Sequence, residues 1–174
     1  MVVVVLVVGA GCSSQQHQSA APTQAAPPQT ARPHPGRFLR WNAKAKQVQL
    51  TMLGALGASN NGFNFDGYGR GELLASVPRG WRVTVRCENR GSRRISCAVV
   101  PGARSATIAF RGASVPDPLQ GLPPGGKSEF SFTASRPGSY RITSLVPGQS
   151  EARMFAVLVV TRGGRPTISA RPGP

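Results

Sequence analysis

At 174 residues the chain is long enough for one ordinary domain with an appendage and too short for two full ones. Its 21 Gly and 16 Pro disfavour long helical bundles, because an interior Gly costs about 1 kcal/mol and a Pro about 3, and without a triplet repeat they do not indicate collagen. The formal charge of +15 comes from 18 Arg and 3 Lys spread from Arg32 to Arg171. A nucleic-acid groove would gather such residues on one face among stacking aromatics. Here the densest run, Arg86, Arg90, Arg93 and Arg94, is broken by Glu88 and Gly91, which reads as a solvated surface. Attraction to anionic lipid headgroups is the other reading of the charge.

Val2 to Val8 form an unbroken apolar run, followed by Gly9-Ala10-Gly11-Cys12. A short apolar core ending in small residues has the form of an export signal and falls short of the roughly 20 residues of a membrane span. With a cysteine directly after the small residues, the segment resembles the lipobox of bacterial lipoproteins. That resemblance implies acylation of Cys12; an ordinary signal peptide with an incidental cysteine is the alternative. From 13 to about 36 the chain is Gln, Ala, Pro, Ser and Thr without hydrophobic periodicity. Such a segment cannot bury enough apolar surface to offset its ordering entropy, and its prolines stiffen it into a spacer.

From Trp41 onward short alternating runs are separated by Gly/Pro turns. Val48, Leu50 and Met52 alternate with Gln47, Gln49 and Thr51; Trp81, Val83, Val85 and Cys87 alternate with Arg82, Thr84, Arg86 and Glu88. This period of two predicts strands with one packed and one wet face. Further strands are predicted around Ile95, Cys97 and Val99, over 107–110, 128–132 and 139–142, and over 154–161. The last is nearly continuous and β-branched, as a centrally buried strand should be. The turns between them include Asn60-Asn61-Gly62, Val77-Pro78-Arg79-Gly80 and Leu122-Pro123-Pro124-Gly125-Gly126. Such spacing indicates a sandwich or barrel, and no helix of normal length fits.

Several ordered segments carry a resemblance. Asn61-Gly62-Phe63-Asn64-Phe65-Asp66-Gly67-Tyr68, Val77-Pro78-Arg79-Gly80-Trp81-Arg82-Val83, Phe110-Arg111-Gly112-Ala113, Pro137-Gly138-Ser139-Tyr140 and Val146-Pro147-Gly148, through to Met154, resemble sulfocyanin, a blue-copper protein of the cupredoxin superfamily. The resemblance spans roughly 45–161. It implies a single copper held by two histidines, a cysteine and an axial methionine. A thiolate and two imidazoles suit both oxidation states of copper, and a weak axial sulfur tunes the potential. In this chain the family's ligand positions hold Ile95, Ser144, Gln149 and Met154, so only the axial type is kept. The histidines are His17 and His34, so no imidazole follows residue 34 and no shift of register recruits one.

In a cupredoxin sandwich the strands of Cys87 and Cys97 would lie in facing sheets, so the resemblance implies that a bridge between them is feasible and would persist after export. Two free buried thiols, or a Cu(I) site of Cys87 or Cys97 with Met154, are the alternatives. Nucleophilic catalysis has no candidate set: there is no base histidine, no Gly-x-Ser-x-Gly and no Cys/His pair. Asp66 stands where sulfocyanins commonly have Asn, and a turn role is expected for it.

The expectation is therefore an all-β, cupredoxin-like Greek-key β-sandwich with a disordered N-terminal tether. It divides into a signal (1–12), a linker (13–40), the sulfocyanin-like domain (41–163) and a flexible tail (164–174). The chain is expected to be no enzyme but a membrane-tethered, extracytoplasmic binding or assembly module. No cofactor is expected; the alternative is a copper protein, in electron transfer or in Cu(I) handling through Cys and Met. Expected partners are the membrane, through a lipid on Cys12, and an envelope or redox-chain protein, with no nucleic acid, for a monomer. The location is the cell membrane as a lipoprotein, or alternatively the periplasm or outside.

Overall fold

Alternating apolar residues become the inner faces of two packed sheets. The computed structural model describes residues 1–3, 31–102 and 105–172. In chain order the strands are β1 (Leu39–Asn42), β2 (Gln47–Gly54), β3 (Leu73–Pro78), β4 (Arg82–Asn89), β5 (Ala98–Val100), β6 (Lys127–Thr133), β7 (Gly138–Thr143), β8 (Phe155–Thr161) and β9 (Thr167–Ala170). One sheet has the order β1-β2-β4-β6, the other β5-β7-β8-β3-β9. The helical turns among the described residues are two short 3-10 turns, Pro35–Phe38 and Ser59–Gly62. No helix among these residues is long and apolar enough to cross a membrane.

Val48, Leu50 and Met52 on β2 and Val83, Val85 and Cys87 on β4 are buried, facing Leu73, Ala75 and Val77 of β3 and Ile142 and Leu158 of β7 and β8 in one core. β2 and β4 are parallel neighbours in one sheet, and β3, the segment between them, lies in the other. Parallel partners need such a crossover, and passing through the opposite sheet supplies it. β8 is central, between β7 and β3, as its unbroken β-branched sequence predicts.

Four expectations are corrected. The segment 107–110 is not a strand. Val99 donates to the Ala113 carbonyl and accepts from the Ala109 N–H, so both its bonds go to the arms of one turn at Arg111-Gly112 and no ladder can extend. β3 was not anticipated, although Leu73, Ala75 and Val77 alternate as the others do; its Pro78 reads as turn chemistry and conceals the strand before it. The tail expected over 164–174 contains β9, which pairs antiparallel with β3 and covers an edge whose N–H and C=O groups would otherwise lack partners. The linker boundary at 40 also falls too late. Phe38 is buried, β1 begins at Leu39, and the Tyr68 hydroxyl donates to the Pro33 carbonyl. β1 exposes most of its side chains, so it carries no alternation to read, and its backbone pairing with β2 alone makes it a strand. Cys12 and His17, with residues 4–30 of the expected signal and linker, lie outside the described residues.

Cys87 on β4 and Cys97, one residue before β5, are joined by a disulfide with Cα atoms 6.1 Å apart. It staples one sheet to the other. Closing a loop of ten residues' separation removes chain entropy from the unfolded state. Replacing both cysteines, Cys87→Ala with Cys97→Ala, is expected to lower the unfolding free energy by about 3 kcal/mol in a denaturant titration. Denaturing the unreduced protein is expected to release no thiol from either position.

Candidate functional site

At the end of the sandwich where β2 and β4 finish, asparagine side chains do the work of backbone partners. Asn89 is fully buried. Its amide donates to the carbonyls of Arg93 (2.8 Å) and Leu122 (3.0 Å), and its side-chain oxygen accepts from the Gly91 N–H, which shapes the 90–95 turn. Asn64 accepts from Leu56 and Gly67 and donates to the Ser59 carbonyl, knitting the loop over 55–70. Asn60, at φ 49°, donates to the Phe63 and Ala152 carbonyls and so ties that loop to the segment leading into β8. None of these roles was legible beforehand; an asparagine-rich turn, Asn60 to Asn64, was the only signal.

Three of the four positions at which the resemblance places ligands meet here. Ile95, Gln149 and Met154 line one depression of about 270 Å³ with Phe63 and Arg93. The Ile95 side chain fills the space beside Gly54, where an added Cβ would lie 2.8 Å from Ile95 Cδ1 and 3.4 Å from Met154 Cε. Ser144 is buried and is not part of the wall. Its hydroxyl oxygen accepts from the Ser96 N–H at 2.9 Å, while the Ser96 hydroxyl oxygen accepts from the Leu145 N–H at 2.8 Å. Gln149 donates through Nε2 to the Arg94 carbonyl at 2.6 Å, and its buried Oε1 has no partner. Met154 is fully buried, its N–H bonded to the Gln149 carbonyl and its own carbonyl to the Thr143 hydroxyl.

This donor set does not fit a blue-copper ion. Such a centre needs a thiolate and imidazoles. The four positions offer an alkyl chain, a hydroxyl engaged with the backbone, a carboxamide whose Nε2 is engaged while its Oε1 is free, and one thioether, with no thiolate or imidazole among them. The sulfurs of Cys87 and Cys97 are bonded to each other, which also removes them from the Cu(I) alternative. His34 accepts the Gly36 N–H at the start of the Pro35–Phe38 turn. Among the described residues no three His, Cys, Asp or Glu side chains lie together.

The arginine run is divided among separate tasks. Arg86 pairs with Glu129 and Arg90 with Glu88 on solvated surface, Arg93 lies over the Phe63 ring, and Arg94 donates to the Gln120 and Gly121 carbonyls.

With this geometry in view, residues 35–164 match the Sulfocyanin (SoxE) domain family. The chain belongs to that family. Among solved structures it is similar to a rusticyanin with engineered substitutions, at 14% identity, over 71% of this chain and 86% of that one, with a TM-score of 0.53. It is also similar to auracyanin A, a "blue" copper protein from Chloroflexus aurantiacus, at 20% identity over 66% and 99% of the chains (TM-score 0.49). A multi-copper oxidase from Pseudomonas thermotolerans matches at 14% identity over 68% of this chain and 30% of its own (TM-score 0.48). No curated protein is detectably similar in sequence. The fold of this sulfocyanin domain is thus the cupredoxin β-sandwich.

Asp66 plays the turn role expected of it. At φ 58° and fully buried, it accepts the Leu53 N–H through Oδ1 at 2.8 Å and leaves Oδ2 without a partner. Burial pushes its pKa well above the usual carboxylate range, against the opposing pull of the Leu53 hydrogen bond and the Arg37 charge. The native state therefore holds the proton more tightly than the unfolded chain, and stability is lost as pH rises from the unfolded carboxylate pKa through the raised native one. Asp66→Asn is expected to match the wild type in acid and to gain melting temperature over it progressively as pH increases, as a series of thermal scans would read.

Proposed function

We propose that this sulfocyanin domain is a membrane-tethered, extracytoplasmic binding or assembly module that holds no copper at the family's ligand positions and carries no electrons through them. The observation that supports it is the packing of Ile95 and Met154 around Gly54, which puts apolar volume where the resemblance places a ligating imidazole. Ser144 reinforces it, since its hydroxyl accepts the Ser96 N–H where the family has a thiolate. A core closed by side chains resists insertion of an ion, because each displaced contact has a cost in a close-packed interior. The residues supply no general base or nucleophile set, so turnover of a substrate is not part of this reading. The partner, an envelope or redox-chain protein, would be met through loops and sheet edges, since the fold leaves many chemistries open.

Loading the purified full chain with Cu(II) is expected to leave it colourless. Stoichiometric uptake with intense visible thiolate-to-copper absorption would overturn the reading. The positional assignment has its own check: combining Ile95→His, Ser144→Cys and Gln149→His with the native Met154 is expected to create that absorption. The tether rests on residues 2–12. Cys12→Ser is expected to move the protein from the detergent phase to the aqueous phase in a partition assay, and an unchanged distribution would remove the lipid from the proposal.

A further inference from the structure

A second site lies at the other end of β4, seven residues of strand away or roughly 23 Å. There Arg82, Arg111 and Arg136 line one depression of about 420 Å³ together with Ser131, Thr133 and Ser135. The three guanidiniums come from three parts of the chain. Arg82 opens β4 and stands opposite Thr133 of β6; Arg111 sits on the turn after Phe110; Arg136 lies between β6 and β7. None of the wall residues is acidic. Among the described residues, none of these arginines pairs with a carboxylate: Glu72, Glu88 and Glu129 pair with other cations, Asp66 is buried, and Asp117 and Glu151 form no salt bridge with them.

The cluster is also partly ordered before any ligand arrives. Arg136 donates through Nη2 to the Ala109 carbonyl and lies 5.6 Å from the centre of the Phe110 ring, which itself stacks on Phe132. The Tyr140 hydroxyl holds the Arg136 carbonyl at 2.9 Å. The turn bearing Arg111 rests directly on β6, where a Cβ on Gly112 would lie 3.2 Å from the Ser131 carbonyl oxygen. The Thr133 and Ser135 hydroxyls bond to no other described residue.

Like charges gathered around one recess repel unless an anion joins them, and planar guanidinium forks match tetrahedral oxyanions. Fixing Arg136 in advance reduces the entropy lost on binding. We propose that this recess binds a phosphate-type oxyanion, with Arg82, Arg111 and Arg136 as charge partners and the Thr133 and Ser135 hydroxyls as additional donors. The inference is independent of the copper question, since the recess is at the far end from Met154. The N-terminal segment meets the domain near Tyr68, in the loop that follows β2, so the recess lies away from that attachment.

The test is calorimetric titration of the full-length chain with inorganic phosphate at constant ionic strength, with arginine Nε resonances as a second readout. Saturable binding is expected, weakened about tenfold or more by Arg111→Ser and by Arg136→Ala. It is expected to be unchanged by Arg86→Ser, which lies on the same sheet outside the recess. Arg111 is exposed and anchors nothing, so its variant keeps the test valid if Arg136→Ala impairs folding. A parallel arm uses vesicles of phosphatidylglycerol against phosphatidylcholine. Arg111-dependent binding to the former alone, without competition from free phosphate, would identify a lipid headgroup as the source of the same anion. Absence of saturation in both arms would overturn the site. So would equal losses in Arg86→Ser and Arg111→Ser, because binding would then follow net charge rather than this recess.

Discussion

A hydrogen bond between two small residues organises the end of the sandwich where Ile95, Gln149 and Met154 meet. Ser144, leaving β7, accepts the Ser96 N–H, and the Ser96 hydroxyl accepts from Leu145 in return. These reciprocal bonds bring the segment before β5 against the segment after β7, and both peptide donors are satisfied without a ligand. Gln149 repeats the device one loop further on by donating to the Arg94 carbonyl. In a buried location an unmade bond of this kind costs about 1–3 kcal/mol, so the network constrains the loops strongly. Ile95 and Met154 then pack against Gly54, where there is no room for another side chain.

The rest of the sandwich is arranged so that this end can be closed by protein groups. The disulfide joins the two sheets through β4 and the residue before β5, close in sequence to Ile95 and Ser96. Asn89, two residues beyond Cys87, governs the turn that delivers Arg93 to Ile95. One covalent staple and one buried amide therefore fix the path of the whole 87–97 segment. Sheet pairing and the common core, to which Ile95 and Met154 themselves contribute, complete the fold. The fold records common architecture, and the chemistry resides in the few side chains placed on it.

Charge is distributed by the same logic. With few carboxylates available, arginines are used through their geometry as well as their charge: stacking on Phe63 and Phe110, reaching carbonyls at Ala109, Gln120 and Gly121, and leaving a group of three around one recess. A guanidinium can do this because its planar donors and flat face serve carbonyl bonding and aromatic contact together. The run of arginines over 86–94, conspicuous in sequence, divides among unrelated contacts, whereas Arg82, Arg111 and Arg136 are far apart in sequence and share a wall.

The sandwich itself was readable from the linear chain, because period-two alternation in β2, β4 and β6 and the continuous run of β8 follow directly from which faces are buried. Family membership and the identities at 95, 144, 149 and 154 were equally accessible, since they depend on residue order alone. β1 and β9 were not, because an exposed edge strand is defined by backbone bonds to its neighbour and leaves no pattern in its side chains. The hydrogen bonds of Asn60, Asn64 and Asn89, the burial of Asp66, the closure around Ser96 and Ser144 and the arginine recess were decided only in three dimensions. Each joins segments whose proximity is created by sheet packing, and that information is absent from any local stretch of sequence.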